Sequence, residues 1–205
     1  MNQKKLSWKH LKYLFNEFDF PNDYYLKRIK IDSVAIYSIT PFKYSLKIID
    51  LMKEKIGNLN ELVITDGCAC VGGDTINFCK TFKQVNAIEL CPERFGFLKD
   101  NLKLYSFKNY QLYNADCLKI IRMSFQDIIY LDLPWSGKNY KNKNSCELKL
   151  NNKHIYEICN DICRYTKYIC LKVPNNFYFE VFKENINMNF ETFDLKKFHI
   201  IIIKT

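Results

Sequence analysis

An acid, a proline and an indole follow one another at Asp132-Leu133-Pro134-Trp135, and Ser136-Gly137 completes the stretch. The apolar residues before it, Asp127-Ile128-Ile129-Tyr130-Leu131, have the length and composition of a buried strand. Pro134 fixes its own backbone and keeps Leu133 extended, so Trp135 leaves the strand end at a set angle. A carboxylate beside a flat ring at the carboxyl end of a strand suits a planar base that bears an amino group. The ring can stack on the base while Asp132 or nearby carbonyls accept the amine hydrogens. Asp132, Pro134 and Trp135 are therefore the candidate catalytic residues. The competing reading is a strand-to-loop turn whose Trp135 caps the core.

Three more acids stand where strands are expected to end: Asp66, Glu89 and Asp116. Ligands of open α/β sheets bind beyond such ends. A glycine-bearing turn, Asp66-Gly67-Cys68-Ala69-Cys70-Val71-Gly72-Gly73, follows the first acid, and Glu89 lies about twenty residues on, the spacing at which an acid takes ribose hydroxyls. An intact G-x-G-x-x-G is absent, and Asp66 beside the turn suits an ammonium better than a pyrophosphate. S-adenosylmethionine meets these constraints. Asp66 faces its methionine portion, Gly72-Gly73 admit close approach, Glu89 takes the ribose diol and Asp116 the adenine amine. Thr40, Pro41, Cys68, Thr75, Leu90, Cys117 and Asp132 complete the expected cofactor-binding set. A single strand-end acid is more often a helix cap or surface turn, so only the succession of acids carries weight.

The elements that must position these residues alternate in type. Strands are expected at Leu62–Thr65, Val85–Ile88, Tyr110–Tyr113, Asp127–Leu131, Tyr168–Val173, Met188–Phe193 and Phe198–Lys204. Helices fall between them, which argues for a parallel sheet covered on both sides. Thr40-Pro41 is expected to cap and open a helix running to about Lys55. Residues 7–18 carry apolar groups at helical spacing, and residues 1–40 read as an extension packed on a core α/β domain at 41–205. The Ile200–Ile203 run requires burial on both faces.

Composition narrows the partners. The chain has 205 residues, 48% of them hydrophobic, enough for one domain with a substantial core. Its 31 Lys and Arg against 22 Asp and Glu leave a charge of +9, a surplus that favours phosphate-bearing partners over acidic surfaces. No apolar run is long enough to span a bilayer, and Met1–Leu6 lack a signal-peptide core, so an intracellular protein, nuclear or cytoplasmic, acting as a monomer without membrane contact is expected. The nine cysteines read as reduced packing residues, and none has matching partners at zinc-site spacing, so no metal is expected. High Lys, Asn and Ile content fits an AT-rich genome, cellular or viral.

Asp66–Thr75 (D-G-C-A-C-V-G-G-D-T), Ala87–Pro92 (A-I-E-L-C-P), Asn114-Ala115-Asp116 and the Asp132–Gly137 stretch together resemble the trimethylguanosine synthase family. The resemblance extends to Tyr13–Asp19, Ile31–Pro41 and Val173–Asn176, and so covers most of the chain. It implies a class I methyltransferase fold: a mostly parallel seven-stranded sheet with an antiparallel last strand, helices on both faces and a short helical N-terminal extension. It also implies methyl transfer to the exocyclic 2-amino group of a 7-methylguanosine RNA cap, with Trp135 stacking on the cap base. Lys138, Lys141 and Lys143 would meet the cap triphosphate. Three departures stand out. Asp132-Leu133 replaces Ser-Pro, Cys70 stands where the family has Gly, and Asn175 stands where it has a phosphate-binding Arg, with Lys172 the nearby substitute. The acid at 132 keeps an adenine-N6 methyltransferase open as an alternative, and the departures together keep open a non-catalytic cap-binding protein.

Overall fold

The computed structural model describes residues 8–16, 19, 27–135 and 144–205. Strands β1 (Val63–Asp66), β2 (Gln84–Ile88), β3 (Tyr110–Tyr113), β4 (Ile128–Leu131), β7 (Tyr168–Pro174), β8 (Phe190–Asp194) and β9 (Phe198–Lys204) form one sheet in the order β3-β2-β1-β4-β7-β9-β8. Every pairing from β3 to β7 is parallel, and β9 inserts antiparallel between β7 and β8. This is the expected mostly parallel seven-stranded sheet with an antiparallel last strand. A separate two-stranded hairpin, β5 (Lys149–Leu150) and β6 (Lys153–His154), lies within the Lys/Asn-rich stretch and was not anticipated.

Because side chains alternate along a strand, each face of the sheet collects one parity of residues. Ile64, Ile128, Tyr130, Cys170, Ile200 and Ile202 pack on one face. Helices α1 (Trp8–Leu14), α2 (Ala35–Ser38), α3 (Phe42–Ile56), α4 (Gly73–Cys79) and α5 (Pro92–Lys103) cover it. Ile129, Leu131, Ile169, Leu171, Ile201 and Ile203 pack on the other. There α6 (Cys117–Ile121), α7 (Ile155–Ile162) and α8 (Phe179–Asn185) close the layer. The Ile200–Ile203 run is thus split between two cores, which is why all four residues can be apolar.

The N-terminal segment is part of the first core. Leu11, Leu14, Phe15, Ile29, Ile31 and Ala35 are buried in the cluster that holds the sheet residues. Asn101 on α5 pins this segment. Its Oδ1 accepts the Lys30 amide at 2.8 Å, and its Nδ2 donates to the carbonyls of Lys30 and Val71, each at 2.9 Å. With no exposure at all, Asn101 satisfies three backbone groups that burial would otherwise orphan.

Several boundaries move. The first helix covers Trp8–Leu14 rather than 7–18, the short one after β7 covers Phe179–Asn185, and α7 passes into a 3-10 turn at Cys163–Tyr165. Thr40 does not cap α3. The flanking residue is Pro41, with no side-chain cap, because the Thr40 hydroxyl turns inward to Asp74. No helix among the described residues is long and apolar enough to cross a membrane.

Gly73 allows α4 to meet the segment before α3. A Cβ there would run into the Ile39 side chain and come within 3.2 Å of the Thr40 carbonyl. Gly73→Ala is expected to destabilise the fold by about 1–3 kcal/mol through overpacking, read as a lowered denaturant midpoint at unchanged slope.

Candidate active site

The parallel register builds the site. Leu131 lies opposite Leu171, so the next residues along, Asp132 and Lys172, stand side by side on the face that also carries Asp66 and Tyr130. Lys172 is 4% exposed. Its Nζ donates to Asp132 Oδ2 at 2.5 Å and to Thr40 Oγ1 at 2.9 Å. Thr40 in turn donates to Asp74 Oδ2 at 2.7 Å, and the Tyr130 hydroxyl reaches the same oxygen at 3.2 Å. One continuous polar chain therefore joins the ends of β4 and β7 to the heads of α3 and α4.

Lys172 was expected to replace a phosphate-binding arginine. The structure corrects this, because its ammonium is buried and committed to Asp132 and Thr40. Asn175, the other expected phosphate contact, is exposed and donates to the Lys196 carbonyl at 3.0 Å. Lys138, Lys141 and Lys143, with Ser136 and Gly137, lie outside the described residues.

Burial governs the electrostatics here. Asp66 is 1% exposed, and desolvation, reinforced by Asp74, pushes its carboxyl up to about 8 despite a 2.6 Å hydrogen bond from Thr75. Its Oδ1 is buried with no hydrogen-bond partner among the described residues, as is Asp74 Oδ1. Asp132 is raised to about 6 by burial, with Lys172 holding it lower than burial alone would. Asp74 and Asp132 thus stand close enough to raise Asp66, Asp74 also raises Asp132, and of these three carboxylates the Lys172 ammonium pairs directly with Asp132 alone. The ammonium or sulfonium of S-adenosylmethionine is the type of group that would satisfy the lone Asp66 oxygen at the end of β1. The residues present fit that cofactor.

The remaining expected contacts sort unevenly. Gly72 takes a left-handed φ of 101°, and the turn before it brings Cys70 to a φ of 51°, a conformation that favours the glycine Cys70 replaces. The Cys70 amide is held by Glu89 Oε2 at 3.0 Å, while Glu89 Oε1 accepts the Cys91 amide at 2.8 Å and faces Arg94 Nε at 3.5 Å. Glu89 therefore shapes the turn, whatever its role toward a ribose. Asp116 caps α6, accepting the Leu118 amide at 2.9 Å, and its other oxygen accepts the Asn151 side chain at 2.8 Å. Each oxygen can accept a second hydrogen bond, so these two bonds leave the expected contact with an adenine amine open. Cys68 stands against Cys117, whose thiol, with burial, holds Cys68 well above the usual thiol range, so it lines the turn as a neutral group. Leu90 is 65% exposed just beyond β2, and Pro41 is half-buried.

Trp135 is half-buried, packs against both cores, and has the Lys172 ammonium 5.0 Å from its ring centroid. Asp132, Pro134 and Trp135 directly follow β4, whose Tyr130 pairs with Asp66. Sequence reasoning missed Asp74, Tyr130 and Asn114, whose side-chain amide ties the carbonyls of Glu89 and Leu90 at 2.8 and 3.0 Å. A period-two reading of β4 would have placed Tyr130 and Asp132 on one face. Nothing local marked Asp74, because its partners come from distant segments.

The sheet order and the antiparallel last strand are those of the class I S-adenosylmethionine-dependent methyltransferase fold. A Listeria monocytogenes protein assigned to that class superposes with a TM-score of 0.61 at 14% identity, over 85% of this chain and 62% of that one. The 16S rRNA N2 guanosine methyltransferase RsmC of T. thermophilus, solved with AdoMet and guanosine, gives 0.60 at 15% identity, over 86% of this chain and 44% of that one. The chain belongs to the RNA cap guanine-N2 methyltransferase family, whose model matches residues 61–193. Uncharacterized protein L320 of Acanthamoeba polyphaga mimivirus is 33% identical over 159 residues, 75% of this chain, which spans 62% of that relative's length.

Asp66 gives a two-sided prediction. Between its ordinary 3.8 and its raised value of about 8, the unfolded chain ionises this group and the fold resists it, so folding loses stability as pH rises through that window. Asp66→Asn removes the penalty and should raise the melting temperature more at pH 8 than at pH 5. It should also abolish calorimetric binding of S-adenosylmethionine, whereas wild-type affinity should increase with pH and level off above about 8. A variant that melts lower yet binds normally would contradict both halves.

Proposed function

We propose that the protein methylates the exocyclic 2-amino group of the guanine in a 7-methylguanosine RNA cap, the reaction of hypermethylated cap formation. The observation that carries this reading is the Asp132–Trp135 corner at the end of β4, near the buried Asp66, whose Oδ1 has no hydrogen-bond partner among the described residues. The family match supports the same substrate.

S-adenosylmethionine supplies an electrophilic methyl on its sulfonium when bound. Asp66 would hold its ammonium, Glu89 its ribose, and Leu90 would floor its adenine. Trp135 would stack on the cap base, presenting the amine edge to the β4 end. Asp132 uses Oδ2 for Lys172, which leaves Oδ1 to accept an amine hydrogen and aim the nitrogen lone pair at the methyl. Methyl transfer would leave the amine with one proton too many, which Asp132 or solvent would accept. Catalysis on this scheme is mainly positioning.

Trp135→Ala should lower transfer to a 7-methylguanosine dinucleotide by at least about a hundredfold, with S-adenosylmethionine binding unchanged within twofold. The assay should include unmethylated caps and adenine-containing oligonucleotides, with product mass measured. Methylation confined to adenine would replace the cap reading with the N6 alternative, and absence of cofactor binding would replace it with a non-catalytic binder.

The pH profile tests Asp132 separately. Its acceptor role requires the ionised form, so the acid limb of the rate should bend near 6. Lys172→Met removes the group that holds Asp132 down, and should move that bend upward by at least one pH unit. An unmoved bend would assign the limb to another group.

A further inference from the structure

Four exposed lysines that the transfer chemistry does not use gather around two tyrosines beside the site. Lys197, in the β8–β9 turn, donates to the Tyr13 hydroxyl at 2.6 Å, with its Nζ 5.3 Å from the Tyr13 ring and 5.0 Å from the Tyr44 ring. Lys47 stands 5.3 Å over Tyr44, and Lys43 stands 6.0 Å over the neighbouring Phe42. Lys196 precedes Lys197, and all four lysines are exposed. Tyr13 is 44% exposed and Tyr44 half-buried. Two acids lie nearby: Asp194 accepts the Lys196 amide at 2.6 Å and Asp50 faces Lys53 at 3.9 Å.

A run of contacts connects this patch to the candidate site. Tyr44 lies 5.7 Å from Phe198, Phe198 lies 5.1 Å from the Lys172 ammonium, and that ammonium lies 5.0 Å from Trp135. Three segments far apart in sequence, α1, the head of α3 and the β8–β9 turn, thus bring ammonium groups and aromatic faces together within a few nucleotides' reach of Trp135. Single-stranded RNA is bound by that combination, phosphates on cations and bases on rings, without regard to sequence. An acidic protein would use the lysines but has no need of the rings.

We propose that this face is the track for the first unpaired nucleotides of the RNA substrate, which leave the site across Tyr44 and Tyr13 with their phosphates on Lys43, Lys47, Lys196 and Lys197. The inference rests on the cap reading for which end of the RNA is held, but the surface itself can be tested without a cap. None of the four lysines touches the Asp66–Lys172 chain, so replacing them leaves the chemical step alone.

The decisive experiment uses the full chain and its quadruple variant Lys43→Gln, Lys47→Gln, Lys196→Gln and Lys197→Gln. Fluorescence anisotropy of an uncapped, unstructured RNA of about ten nucleotides should show at least tenfold weaker binding by the variant. Its salt slope should be smaller by about 2–3, as expected for four lost single-strand phosphate contacts. Tyr13→Leu should weaken binding severalfold with an unchanged slope, because it removes stacking and no charge. With methyl transfer as the readout, KM for a capped RNA of the same length should rise in the quadruple variant while that for the cap dinucleotide stays put. Equal RNA binding by wild type and quadruple variant would overturn the proposal. So would a polyglutamate peptide that competes as well as RNA, since it would mark a surface for acidic proteins. If no cap is methylated but uncapped RNA binds as described, the track stands and the cap reading falls.

Discussion

The ammonium of Lys172, buried between Asp132 and Thr40, is the interaction on which the site depends. Buried ion pairs contribute little net stability, because desolvation offsets their attraction, yet removing one partner typically costs about 3–5 kcal/mol. The asymmetry makes Lys172 a fastener. It fixes the carboxylate that ends β4 to the strand beside it, and through Thr40 and Asp74 it fixes the heads of α3 and α4 to the same point. The ends of β4 and β7 and the heads of α3 and α4 cannot shift independently while that chain is intact.

The pocket on the other side of β1 is held by a different device. Glu89 spends one oxygen on the Cys70 amide and the other on the Cys91 amide, so the turn after β1 and the start of α5 are shaped by one carboxylate. Cys70 occupies a left-handed conformation, which costs a non-glycine residue about 1–2 kcal/mol. The amide bond to Glu89 offsets part of this. Arg94 closes the set by facing both Glu89 and Asp32, at 3.5 and 3.6 Å, and so ties the N-terminal segment to the same acid.

Sequence legibility followed the range of the interaction concerned. The strands were readable because burial on both faces leaves apolar runs, as in Ile128–Leu131 and Ile200–Ile203. The final strand was readable to the residue, Phe198–Lys204. The acids at 66, 89 and 132 were readable because strand ends in such sheets are where ligands sit. Lys172 was misread because a lysine near a phosphate-binding position looks solvated until the register puts Asp132 beside it. The bond from Asn151 to Asp116 was not legible because Asn151 lies 35 positions away in a turn with no pattern. Thr40 looked like a cap to α3 and serves Asp74 instead, a bond spanning 34 positions.

The same fastener bears on how the site would tell a methylated base from a plain one. The indole of Trp135 already has a cation 5.0 Å from its centroid. A cationic base on the opposite face would stand roughly 8–9 Å from that ammonium, and two bare charges so placed repel by about 2 kcal/mol at an effective dielectric of 20. A cation–π gain of about 1–2 kcal/mol would then be cancelled. With Asp132 ionised 2.5 Å from Lys172, the pair presents a dipole rather than a charge, and the repulsion largely disappears. The proposed preference for 7-methylguanine therefore depends on the carboxylate at position 132 as much as on the ring. An acid there, where the resembled family has serine, is the counterpart of a lysine buried beneath the tryptophan.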